Sequence, residues 1–108
     1  MPTDLQLVLC SVPNRKTAEH IAETLVSEQL AACVNIIPGI VSVYRWKEKI
    51  EKDEELLLLI KTARHSYESL EQRIQALHPY ELPEIIAVSL QTGQTDYIQW
   101  IENCLKTS

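Results

Sequence analysis

Between Ile40 and Thr62 the chain reads IVSVYRWKEKIEKDEELLLLIKT. Two runs rich in β-branched, aromatic and aliphatic residues flank the polar triplet Lys47-Glu48-Lys49, the pattern of two long strands joined by a hairpin tip and paired antiparallel. A half-exposed antiparallel strand alternates polar with apolar residues, yet Leu56-Leu57-Leu58-Leu59-Ile60 is apolar at every position. Both faces of that strand therefore need cover. Helices packed on one face leave the other bare. A second copy of the chain is the simplest cover, because monomers seldom leave apolar patches larger than a few hundred Å² in water. The expectation is a homo-oligomer closed by symmetry, obligate if the strand is sealed between subunits. Strands this long also overrun a small domain and offer edges for pairing between subunits.

Upstream, Cys33 to Ile37 extends the first run across Pro38-Gly39, a pair that a regular central ladder does not accommodate, so a bend or bulge is predicted there. Asn14 opens a helix in which Ala18, Ile21, Ala22, Leu25 and Val26 recur at steps of three and four, ending near Gln29. Leu5 to Val12, closed by Pro13, reads as a short buried strand. Downstream, Ser66 caps a helix whose Leu70, Ile74 and Leu77 share one face; it stops near His78 because Pro79 follows. Pro79 and Pro83 stiffen the loop that carries Tyr80, Glu81 and Leu82. Glu84 to Leu90 is a last strand, and Thr95-Asp96 caps a short helix bearing Tyr97, Trp100, Ile101 and Leu105. The order βαββαβ with a C-terminal helix predicts an α+β, ferredoxin-like sandwich built on one antiparallel sheet.

The 108 residues suffice for one domain over 1–108, with the 45% hydrophobic and 23% charged composition of an ordinary globule. Ten Lys and Arg against 15 Asp and Glu give a net charge of -5, the wrong sign for neutralising phosphates, which argues against a nucleic-acid partner. No apolar run approaches the roughly 20 residues of a membrane helix, and Met1-Pro2-Thr3-Asp4 lacks the basic start of a signal peptide. A cytoplasmic protein with no membrane contact is expected. Cys10, Cys33 and Cys104 are widely spaced, without C-x-x-C, and read as reduced thiols. The sequence has no G-x-G-x-x-G, P-loop or H-E-x-x-H, and no enzymatic reaction is predicted.

Leu30-Ala31-Ala32-Cys33-Val34-Asn35-Ile36-Ile37-Pro38-Gly39, followed by Ser42-Val43-Tyr44-Arg45-Trp46, resembles the CutA family of divalent-cation tolerance proteins. His78-Pro79-Tyr80-Glu81-Leu82-Pro83-Glu84-Ile85-Ile86 is similar to a second signature of that family, and Asp96-Tyr97 with Trp100-Ile101 to a C-terminal one. The resemblance implies a ferredoxin-like protomer in a tightly packed trimer, a cytoplasmic location, and a link to copper and other divalent metals. It also implies subunit clefts like the effector sites of PII-type signalling proteins.

For metal, Cys10 in Leu9-Cys10-Ser11 matches the family's strand-one cysteine and His78 its histidine before Pro-Tyr; thiolate and imidazole suit copper or zinc. Some relatives carry two adjacent histidines there, whereas this chain has Leu77-His78. Glu84 adds an oxygen, but the set falls short of the four ligands of a closed zinc site, so a labile, open or shared site is expected. The plainer roles are a buried strand thiol for Cys10 and a helix C-terminal cap for His78. Cys33 and Cys104 read as core thiols, and His20 and His65 lie on exposed polar stretches. Tyr44, Trp46, Tyr80 and Trp100 either pack at a subunit interface or wall an intersubunit pocket. There Arg45 or Lys61 holds a small anion, while Glu81 and Glu84 meet a cation or a basic partner protein. The acidic run Glu51 to Glu55 reads as a solvated strand edge. Two functions follow: a trimeric copper-binding tolerance protein, or a PII-like sensor or scaffold whose clefts bind a small ligand or a partner, with metal incidental.

Overall fold

The computed structural model of the chain describes residues 3–107. Its spine is the hairpin of β2 (Cys33–Trp46) and β3 (Lys49–Ala63), which pair antiparallel from Cys33 opposite Lys61 to Trp46 opposite Lys49. The turn is Lys47-Glu48 alone, one residue shorter than the sequence suggests. Both residues hold positive φ, 50° and 68°, the left-handed geometry whose twist matches that of the flanking strands. The expected irregularity falls between Ile37 and Ile40, where the register shifts and Gly39 takes φ 81°. Only glycine enters that region freely, so the bulge is local chemistry.

β1 (Leu5–Val12) and β4 (Ile86–Ser89) complete one sheet in the order β2-β3-β1-β4, every neighbour antiparallel. Two helices join them: α1 (Arg15–Ser27) after β1 and α2 (Tyr67–Leu77) after β3; α3 (Thr95–Cys104) closes the chain. The architecture is α+β with a four-stranded antiparallel sheet, as the element order implies. Because β3 is central, its alternation decides which side chains each layer receives. Leu58 and Ile60 are fully buried with Val8, Cys10, Ile21, Leu25, Leu70 and Ile74, between the sheet and the α1–α2 layer. Leu57 and Leu59 point to the opposite face and stay partly exposed in the single chain. On that face α3 covers only the end where Leu5 pairs with Ala63, packing Ile101 and Leu105 there.

Four local expectations are corrected. The first helix ends at Ser27, not Gln29: Gln29 turns to φ 59°, and its N–H and that of Leu30 return to the Val26 and Leu25 carbonyls at 3.1 and 2.9 Å. This is the Schellman pattern with glutamine in the usual glycine position. Ser66 does not cap α2; a short 3-10 turn at Arg64–Ser66 leads into it. The last strand spans Ile86–Ser89 rather than Glu84 to Leu90, opposite Gln6 to Leu9 of β1, and beyond it the Leu90 N–H still donates to the Leu5 carbonyl at 3.0 Å. Gln94, not Thr95 or Asp96, caps α3, its side chain accepting the Tyr97 N–H at 2.7 Å.

Candidate functional site

Beyond the end of β1, between the hairpin and the loop after α2, lies a cavity of about 510 Å³. Pro79 prevents α2 from continuing, and His78, its last capped residue, is buried against the end of β1. Its Nε2 lies 2.8 Å from the Ser11 carbonyl and its Nδ1 lies 3.1 Å from the Tyr80 amide nitrogen. A carbonyl only accepts and an amide N–H only donates, so Nε2 carries the proton and Nδ1 is the acceptor. Both ring nitrogens are thereby engaged, and the loop is pinned to β1.

From that anchor Tyr80 reaches across to β3, where its hydroxyl donates to Glu55 at 2.6 Å. Glu55 is only 6% exposed. The Tyr44 hydroxyl likewise donates to Asp53, and that bond holds its phenol up to about 12. Burial first, then the Glu55 bond, drives the Tyr80 phenol well above its ordinary value. Glu55 alone therefore corrects the reading of residues 51–55 as a solvated edge, since Lys52, Asp53 and Glu54 are exposed, yet Asp53 and Glu55 both border the cavity. Alternation places them on the face of Leu57, and Ser11, Tyr44 and Trp46 join them around the cavity. The period-two spacing of Glu51, Asp53, Glu55 and Leu57 is the signal that could have found them.

Cys10 is fully buried, its Sγ 3.8 Å from the same Ser11 carbonyl that His78 contacts. The fold thus brings Cys10 and His78 to one backbone group, with Glu84 on the cavity rim. Burial, then the charges of Glu84 and Glu55, pushes the Cys10 thiol up to about 12, so it is protonated at neutral pH. Among the described residues, no three His, Cys, Asp or Glu side chains are placed to hold a metal ion. Of the expected cleft residues, Arg45, Trp46, Tyr80 and Glu81 converge on the cavity. Lys61 sits elsewhere, donating to Asn35 Oδ1 with Cys33 Sγ at 3.9 Å, and Trp100 stacks on Tyr97 with ring centroids 5.5 Å apart.

The raised Cys10 pKa has a sign. Relative to an unfolded value of 9.0, the folded chain holds this proton more tightly, so the stability it contributes is complete below pH 9 and is lost as pH rises toward 12. Tyr67, pushed up to about 12 chiefly by burial, acts in the same direction. Urea midpoints are expected to fall steadily above pH 9, and less steeply in a Cys10→Ala variant; parallel curves for the two proteins would remove Cys10 as a contributor.

Residues 6–104 match the family described as CutA1 divalent ion tolerance protein. The divalent-cation tolerance protein CutA of Thermus thermophilus is 48% identical over 89% of this chain and 93% of its own length. The chloroplastic protein CutA of Arabidopsis thaliana is 44% identical over 90% of this chain, which spans only 53% of that longer relative. The crystal structure of CutA1 from Oryza sativa superposes with a TM-score of 0.95 at 39% identity, covering 99% of this chain and 98% of that one. No helix among the described residues is long and apolar enough to cross a membrane. On a family match that runs from β1 to the end of α3, with relatives this similar over the same span, the chain belongs to the CutA1 divalent ion tolerance family.

Proposed function

We propose that this chain is a non-catalytic, cytoplasmic homotrimer that contributes to tolerance of divalent cations by binding copper reversibly at Cys10 and His78, with Glu84 supplying an oxygen only after the loop rearranges, because no three such side chains among the described residues are already placed to hold an ion. The observation that carries this reading is the shared contact of Cys10 and His78 with the Ser11 carbonyl, beside a cavity bearing Glu84 and Glu55. After burial, which is the larger cause, the two carboxylates also raise the Cys10 pKa, and by the same potential they attract a cation. A bound cation reverses that local field, and metal binding to a thiol releases its proton. Occupancy must also break one of the two His78 ring contacts, which opposes tight retention and suits a labile site. Three unpaired cysteines fit a reducing compartment.

Calorimetric titration of copper into the reduced protein at neutral pH tests this. The wild type is expected to bind with a defined stoichiometry per subunit, and the Cys10→Ser, His78→Ala double variant to lose that binding. Indistinguishable titrations would assign copper to general surface ligands and end the site assignment. The four carboxylates Asp53, Glu55, Glu81 and Glu84 against the single guanidinium of Arg45 make the cavity a poor receptor for the small anion expected from Arg45.

A further inference from the structure

We propose that the cavity between the hairpin and the Pro79–Pro83 loop is a binding site for an organic cation, an aliphatic diamine or a close relative carrying two separated ammonium groups. Its volume of about 510 Å³ lies within the range of small-molecule sites. Four carboxylates border it, and none forms an ion pair among the described residues, whose salt bridges are Arg15–Glu19 and Arg73–Glu28. Glu55 is the telling member. It is more than nine-tenths buried, yet its carboxylate's only hydrogen bond among the described residues is the one from Tyr80. A carboxylate taken out of water so far, with one neutral donor and no counter-charge, gains most from an incoming N–H cation.

The tyrosine contacts orient buried Glu55 and exposed Asp53. Tyr80 occupies one site on Glu55 and Tyr44 one site on Asp53, leaving the other lone pairs for a ligand's ammonium protons. The walls are also suited to a cation with an apolar stem. The Lys47 ammonium lies 5.8 Å from the Trp46 ring centroid, at the outer end of cation–π contact, and the same indole face suits a ligand ammonium. Leu82 offers methyl groups for the methylenes between two ammonium centres. A bare metal ion fits less well, since the acidic groups are not clustered closely enough to hold one. Of the three proposed copper ligands only Glu84 lines the cavity, and the inference rests on Glu55 and Asp53 rather than on the copper reading.

The test is calorimetry on reduced, metal-free protein with diaminobutane, aminobutane and the uncharged butanediol as probes. Saturable binding of diaminobutane is expected, weaker binding of aminobutane, and none of butanediol. Glu55→Gln keeps the shape of the side chain and its acceptor for Tyr80, and is expected to weaken diaminobutane roughly tenfold, the usual scale for one charge-assisted hydrogen bond. Asp53→Asn gives a second, independent reading, and circular dichroism melts confirm that both variants fold. No saturable binding to the wild type, wild-type affinity in both variants, or equal binding of butanediol each overturns the proposal. Because no metal is present, failure of copper binding leaves this outcome untouched.

Discussion

Replacing Leu58 with Ala is expected to lower unfolding stability by about 3 kcal/mol, within the range for fully buried leucines. Leu58 has no exposed surface and sits on the central strand, opposite Cys10 of β1 and Ile36 of β2. Removing its branched end takes packing from the layer between the sheet and α1, where Ile21 and Leu25 are also fully buried. Collapse into the void is limited because β3 is held by ladders on both sides and cannot move toward the helices without breaking one. Val26→Ala, on an α1 position that is 42% exposed, serves as the comparison and should stay within about 0.5 kcal/mol of the wild type. Urea titrations at one fixed protein concentration measure both. Equal midpoints for the two variants would show that Leu58 does not anchor the core.

That contrast rests on information local enough to be read from the chain. The hairpin, the bulge at Pro38-Gly39 and the helix limit at Pro79 each depend on residues within a few positions, and each appears where its chemistry requires. The site was less legible. Glu55 stands in a run of charges that looks solvated, and its burial depends on Tyr80, 25 residues further on, which reaches it only because His78 pins the loop to Ser11. Likewise Cys10 and His78 meet at one carbonyl through a contact 67 residues long, which no spacing rule encodes. Capping failed for a different reason: serine, threonine and aspartate are good caps in general, but the 3-10 turn before α2 and the reach of Gln94 decided the outcome. The unbroken run Leu56 to Ile60 was informative in full. Its two parities go to two faces, one sealed by helices and one left partly exposed in the single chain.

Leu59→Arg is expected to abolish the proposed homotrimer while Leu58→Ala, one residue away, leaves its mass unchanged. Leu59 lies opposite Leu9 on the sheet face away from α1 and α2, and Leu7, Ile86 and Val88 extend the same surface by register. Ile86 and Val88 are 53% and 47% exposed in the single chain, so this is the apolar face that the sequence leaves without helical cover. Leu59 belongs to neither buried cluster of the protomer, and arginine there meets water rather than the chain's own core. In a symmetric assembly every subunit carries the substitution, so three unpaired charges enter the contact together, each costing several kcal/mol when buried. Sedimentation or mass photometry should find the wild type trimeric even at nanomolar concentration and the Leu59→Arg chain dissociated. A variant that remains trimeric would move the contact off this face. A wild type that is a folded monomer at that dilution would mean that water, and not a second copy, meets Leu57 and Leu59.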